Sequence, residues 1–394
     1  MFHKIKTYLG RQKLQPRSSK FKKNRFGVKI NHNQWFKPQY IIGFLTLFLV
    51  LIVEGNQNWF SSEMTARMYQ PIPATIESPW PWQEKTEIHD LIANIHPNTE
   101  TDIQSVANYI KTNELDPFLR IKAVHDYVVT KLTYDVAVLE TGVRPSQEAR
   151  DVFKTGQAVC EGYAKLFEAI AKAMGEDVIY LEGDVRREFA PNDVIPLNLK
   201  FLDLSYNWTR HAWNAVKIEE NWYLVDTTWD DSETSYYTDY LMPPERMMNI
   251  SHLPDNENWQ LSYTPNSPEK FEKQPLLTPD FFKYELELLS ALQYNNQVEN
   301  TGKIRIENKN NSLEIVALYQ EIEKDKLLNF GKKEITEESG KCDREKNSPE
   351  EITISCQFPK SGVYQVSMLS FDKVNTNQIN PIPLGELQFT VSDL

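Results

Sequence analysis

Residues 157–166 read Gln157-Ala158-Val159-Cys160-Glu161-Gly162-Tyr163-Ala164-Lys165-Leu166, and the rest of the chain can be ordered around them. From Cys160 to Met174 the polar residues are Glu161, Lys165, Glu168 and Lys172. They form one narrow stripe on a helix that is otherwise apolar or small, so the helix is expected to lie at the centre of its domain. Glu161–Lys165 and Glu168–Lys172 are favourable i,i+4 pairs. Gly175 stands where a C-terminal cap belongs. Cys160 therefore opens a buried helix, where unpaired N–H groups and partial positive charge favour a thiolate.

Downstream come His211-Ala212-Trp213-Asn214 and then Trp222-Tyr223-Leu224-Val225-Asp226-Thr227-Thr228-Trp229. These read as a hairpin over 211–218 and 222–228. A two-residue turn at Glu219-Glu220 sets Ile218 opposite Asn221 and His211 opposite Thr228. Side-chain alternation then puts Asp226 on the face of His211, as its diagonal neighbour. A three-residue turn without a bulge would put it on the other face. Cys160, His211 and Asp226 are the candidate catalytic residues. The thiolate attacks, His211 carries the proton, and Asp226 fixes the imidazole. The backbone N–H of Cys160 is a candidate oxyanion donor. Gln157 is the nearest candidate for a second, or else a loop residue. Residues 184–210 are irregular and aromatic, and read as a flap over a cleft or a surface insertion.

Upstream, Ile103, Val106 and Ile110 recur at helical spacing. Asp116-Pro117 is a helix start, followed by Ile121, Val124, Val128 and Leu132 on one face. His125 beside that face reads as a packed core residue. Residues 136–147 read as loop, 146–154 as a short helix, and 178–181 as a strand closed by Glu182-Gly183. After a linker at 265–279, alternating segments at 303–306, 313–318, 352–356, 363–371 and 386–391 suggest a small antiparallel sandwich.

The chain has 394 residues, 40% of them hydrophobic, and a net charge of −12. That is enough for two domains and a tail. Residues 1–40 hold 11 Lys/Arg and no Asp or Glu, against 32 basic and 55 acidic residues in the remainder. A basic head on an acidic body does not fit a nucleic-acid binder, whose basic residues belong on the folded domain. It fits a membrane topology signal. The uncharged run Tyr40 to Val53 is short for a spanning helix and reads as an uncleaved anchor or, alternatively, a cleaved secretory signal. Either places the basic end in the cytoplasm and the body outside it. Cys342 and Cys356 lie close together in the strand-rich region and are paired as a disulfide, leaving Cys160 as the odd thiol. The alternative is three buried free thiols.

The run 158–164, His211-Ala212-Trp213-Asn214 and the segment 222–229 resemble the transglutaminase-like superfamily, with its papain-like Cys–His–Asp site. Tyr240-Leu241-x-Pro243, His252-x-Pro254 and Trp259-Gln260-Leu261, with a following β-domain, are similar to the kyphoscoliosis-peptidase branch. Ala158 departs from the glycine often found there, while all three reactive groups remain. The resemblance implies an α+β fold: helical subdomain, nucleophile helix, then a sheet carrying His and Asp, followed by an Ig-like β-sandwich. The expected layout is 1–39 basic cytoplasmic segment, 40–54 anchor or signal, 55–84 linker, 85–265 catalytic domain, 266–300 linker and 301–394 sandwich. The expected activity is an extracytoplasmic thiol peptidase or amidase acting on protein or peptide through an acyl-enzyme. The alternatives are transglutaminase-type acyl transfer, and a membrane-tethered binding scaffold with a vestigial site. No cofactor is expected and no metal-ligand spacing is found. The membrane is an expected partner through the N-terminal segment, nucleic acid is not, and oligomeric state is not legible.

Overall fold

The computed structural model describes residues 77–83, 87–186, 208–232, 235–309, 313–322, 338–346, 348, 350–372 and 381–392. They belong to one compact unit spanning 69–394. The expected basic segment, the expected anchor at 40–54 and most of the expected flap lie outside these residues. No helix among the described residues is long and apolar enough to cross a membrane.

Helix α1 (Ile103–Asn113) starts where the Asp102 carboxylate accepts from the N–H of Ser105 at 2.8 Å. Helix α2 (Pro117–Lys131) starts on Asp116, which accepts from Phe118 and Leu119 at 2.8 and 3.0 Å. Both bury the apolar rows read from the sequence, Val106 and Ile110 on one, Ile121, Val124 and Val128 on the other. Strand β1 (Thr133–Tyr134) follows. Where a loop was expected, α3 (Val136–Thr141) forms one and a half turns and stops at Gly142, whose φ of 68° suits glycine. Helix α4 (Ala149–Thr155) leads to β2 (Gln157–Ala158), which pairs in parallel with β1. Helix α5 (Cys160–Met174) ends at Gly175, φ 91°, as the sequence suggests.

Strand β3 (Asp177–Arg186) runs past the expected stop at Glu182-Gly183. It pairs with β4 (Trp208–Ile218) along its whole length, and that pairing carries it through the glycine. The two-residue turn is present, and β5 (Asn221–Val225) pairs in the expected register, Ile218 with Asn221 through Asn214 with Val225. The ladder ends there, so Thr228 is not a partner of His211. His211 instead pairs with Gly183. Helix α6 (Glu245–Ser251) returns the chain to β6 (His252–Pro254), giving the sheet order β5-β4-β3-β6. Val178, Val216, Ile218, Tyr223 and Val225 join the core of α1, α2 and α5. The alternate residues Ile179, Leu181, Trp213, Ala215 and Leu224 enter a second core.

That second core continues through the stretch expected as a linker at 266–300. There α7 (Pro268–Lys273), β7 (Leu276–Leu277), α8 (Pro279–Lys283), β8 (Leu286–Leu288) and β9 (Asn295–Val298) form. Phe271, Leu276, Phe281, Phe282 and Leu286 are buried, which a free linker could not do. Prolines 268 and 279, which suggest a break, occupy first helical turns. Residues 77–83 likewise pack rather than link. Trp80 and Trp82 are buried, and Thr238 Oγ1 donates to the Trp82 carbonyl at 2.9 Å.

The remaining strands are β10 (Thr301–Asn308), β11 (Leu313–Ile322), β12 (Ser339–Lys341), β13 (Asp343–Lys346), β14 (Glu351–Gln357), β15 (Gly362–Asp372) and β16 (Ile382–Val391). They make two sheets, β13-β14-β10-β8 and β12-β11-β15-β16-β7, with β9 parallel to β16. Cys342 lies where the chain leaves the second sheet for the first, and its disulfide to Cys356 on β14 ties that crossing.

Candidate active site

The short parallel pair β1–β2 holds the approach to the cysteine. Thr133 donates to the Gly156 carbonyl and Asp135 to that of Ala158, both at 2.9 Å. Gln147 steadies the next residue: its Oε1 accepts from the N–H of Val159 at 2.9 Å. Gly162 is required by contact. A Cβ there would lie 2.6 Å from the Ala158 Cβ and 2.6 Å from Gln147 Oε1. Behind Cys160, Lys165 pairs with Glu161 at 2.7 Å and Lys172 with Glu168 at 2.6 Å. Asn214 donates to the Ala164 carbonyl at 3.1 Å and ties α5 to the sheet. Cys160 is partly exposed.

His211 is 7% exposed. Its Nε2 lies 2.6 Å from Asp226 Oδ2. The carboxylate can only accept, so Nε2 carries the proton. Cys160 is near enough for its charge to act on the ring. Nε2 is committed to Asp226, so Nδ1 is the nitrogen left for the thiol. The structure thus brings Cys160, His211 and Asp226 together. Burial opposes a charge on His211, but Asp226 and then Cys160 outweigh it and raise its pKa to about 10. Asp226 is also fully buried. Burial opposes its charge too, yet His211, with help from His252, holds the carboxyl well below the usual carboxylate range. Its Oδ1 accepts from the N–H groups of Thr228 and Trp229 at 2.9 and 3.2 Å.

His252 was not singled out as a site residue by sequence. It is 1% exposed, and its Nε2 lies 3.0 Å from the same Oδ2 of Asp226. The only sequence signal was its place in His252-x-Pro254. Trp213, Trp229 and Tyr240 wall these rings: the Trp229 ring lies 5.7 Å from His211 and 4.4 Å from His252. The ligand-type atoms of His211, Asp226 and His252 fall within 4.8 Å of one another. A metal ion would fit among them only by displacing the two N–H protons that now bind the carboxylate.

Gln157 is exposed on β2. Tyr134 pairs with Ala158, and burial first, then the negative charge of Cys160, pushes its pKa well up and keeps it protonated. His125 is fully buried, as expected of a core residue, but it is not merely packed. Its Nδ1 meets Asp126 Oδ1 at 2.9 Å and its Nε2 meets Asp230 Oδ2 at 3.0 Å. Asp230 in turn accepts from the N–H of Tyr240 at 3.0 Å. This second network anchors the turn that carries Asp226.

Comparison with known proteins shows what the two parts of the chain resemble. Residues 104–227 match the transglutaminase-like superfamily and residues 268–378 the KY-like, immunoglobulin-like domain. The chain carries a transglutaminase-like domain followed by an Ig-like domain of the KY type, as its kyphoscoliosis-branch motifs suggested. It is similar to kyphoscoliosis peptidase of Homo sapiens, 27% identical over 207 residues, and of Mus musculus, 26% identical over 207 residues. Each alignment covers 50% of this chain and 28% of the relative, so the chain spans under a third of their length. Among solved structures, red sea bream transglutaminase aligns at 9% identity over 74% of this chain and 58% of that one, with a TM-score of 0.28.

Proposed function

We propose that the chain is a thiol enzyme that attacks amide carbonyls of protein or peptide, and that it works as a peptidase or amidase. The observation that carries this reading is His211, held at 2.6 Å by a saturated, anionic Asp226 and within the field of Cys160. With its pKa raised to about 10, His211 is a stable imidazolium beside the sulfur at neutral pH. Cys160 Sγ attacks the carbonyl carbon, and the oxygen takes the charge. The N–H of Cys160, at the first position of α5, and the protonated Tyr134 phenol are donors available to it. Collapse breaks the C–N bond as His211 gives its proton to the leaving nitrogen, leaving a thioester on Cys160. Water, deprotonated by His211, then adds to the thioester carbonyl, the C–S bond breaks, the acid product leaves, and Cys160 is released as the thiolate beside the reprotonated His211.

The intact pairing favours an enzyme over a vestigial scaffold, because a binding module has no need to hold a charged relay in a dry site. The relatives named as peptidases lend hydrolysis their weight. An extracytoplasmic location agrees with the Cys342–Cys356 disulfide. Anchoring through residues 40–54 belongs to the same proposal.

Incubating the full chain with casein, with and without a labelled primary amine, tests the reaction type. New peptides that require Cys160, without label uptake, are expected. Label incorporation without cleavage would overturn hydrolysis in favour of acyl transfer. Neither outcome from the wild-type chain, with Cys160→Ala indistinguishable from it, would count for the scaffold.

A further inference from the structure

We infer that His252 is a positioning residue for the triad, holding Asp226 in place through its own N–H bond to Oδ2. The inference rests on the reading of Cys160, His211 and Asp226 as the reacting group.

Asp226 has four donors around it. Oδ2 takes the Nε2–H of His211 at 2.6 Å and the Nε2–H of His252 at 3.0 Å. Oδ1 takes the N–H of Thr228 at 2.9 Å and that of Trp229 at 3.2 Å. With its lone pairs used in this way the carboxylate can neither swing nor readily accept the proton of His211. Three of these donors have an evident role, two in a local turn and one in the triad. His252 is the fourth, and it comes from β6.

The fold brings it there by register. His211 on β4 pairs with Gly183 on β3, and Gly183 pairs with Pro254 on β6. Partners across a ladder share a face, and so do residues two apart. His211 and His252 therefore lie on one face with Gly183 between their strands. A Cβ on Gly183 would stand 2.2 Å from the Leu253 carbonyl and 2.6 Å from the Trp213 ring. The glycine lets β6 close in, and the two imidazoles sit 5.7 Å apart.

The ring is also set in one tautomer. Its Nε2 must donate to a carboxylate, so Nδ1 accepts, and Ser251 Oγ lies 2.8 Å from Nδ1. Burial, the largest influence on this ring, pulls its pKa down to about 4 despite Asp226. His252 is then neutral where His211 is charged. It supplies a donor without placing a second full charge beside the imidazolium.

The test uses iodoacetamide on the full, unreduced chain. Cys342 and Cys356 are bridged, so uptake reports Cys160. At about pH 7, His252→Leu, which keeps bulk and loses the donor, should be alkylated about tenfold more slowly than wild type. His252→Gln, which offers an amide N–H near the position of Nε2, should recover to within about threefold. A His252→Leu rate equal to wild type would overturn the inference. So would a His252→Gln rate as low as that of His252→Leu, which marks packing rather than the bond. His211→Ala separates the two readings. If it alkylates as fast as wild type, the triad itself fails. If it slows while His252→Leu does not, only the role of His252 fails. Should His252→Leu lose its cooperative unfolding transition, Ser251→Ala leaves the ring in place and frees Nδ1. It should slow alkylation about threefold, and no change would count against the inference.

Discussion

His211 and His252 share one carboxylate oxygen, yet their protonation diverges. The pKa of His211 rises to about 10 because Asp226 and Cys160 outweigh burial, while burial lowers that of His252 to about 4. The signs follow by linkage. Charged His211 stabilises the fold fully below its unfolded pKa of about 6.5, and that contribution is lost as pH rises through about 10. The melting-temperature gap between wild type and His211→Gln should therefore narrow as pH is raised through that range. A constant gap would mean that His211 does not titrate there. Turnover should fall through the same window, because the leaving nitrogen loses its acid. His252 acts in the opposite sense. The unfolded chain binds its proton first, so stability drains as pH falls from about 6.5 toward 4. Cys160, His211 and Asp226 could be singled out because three short motifs carry them in order. His252 could not, since a single His two residues before a proline has no period and its partner is set by a sheet register. His125 was read only as far as burial, because its partner Asp230 lies 105 residues away in sequence.

At the scale of elements, two close approaches decide the site. Gly162 lets the start of α5 sit against Ala158 and Gln147, and Gly183 lets β6 reach β3. Gly183→Ala should cost about 1–3 kcal/mol in denaturant unfolding, the usual range for overpacking. It should also slow Cys160 alkylation, because His252 moves with β6. Lost stability with unchanged reactivity would mean that β6 does not feed the triad. Helix α5 and the β4–β5 hairpin were legible, one from a thin polar stripe, the other from a two-residue turn and strict alternation. The two-residue strands β1 and β2 are too short to show a period. The end of β3 was misread because Glu182-Gly183 resembles a turn, whereas the glycine serves a neighbouring strand. Helix α3 carries only six residues, too few for a helical pattern to stand out.

At the scale of the molecule, one core runs from the catalytic sheet into the sandwich. Trp213, Trp222 and Leu224 belong to the same buried cluster as Phe281, Phe282, Ile304 and Phe389. Arg186, at the end of β3, donates to the Gln274 carbonyl at 2.7 Å, and Trp208 packs its ring 5.7 Å from Phe271. A chain ending at residue 265 should therefore lose cooperative thermal unfolding, with each lost aromatic partner worth about 1.5–3 kcal/mol. Unchanged unfolding would show that the domains are independent. The two-domain order was legible, but the continuity was not, because prolines in 266–300 suggested a break. Reducing the Cys342–Cys356 disulfide closes off a different variable. It spans a sequence separation of 14 and should cost about 3 kcal/mol while leaving the reactivity of Cys160 unchanged. The central claim, a histidine-driven thiol acylation, is tested most directly by intact-mass measurement after rapid mixing with p-nitrophenyl acetate. A single acetyl group should appear on Cys160 and disappear with turnover. It should form about 10²-fold more slowly in His211→Ala and not at all in Cys160→Ala. Acetylation elsewhere on the chain, or at the same rate without His211, would contradict it.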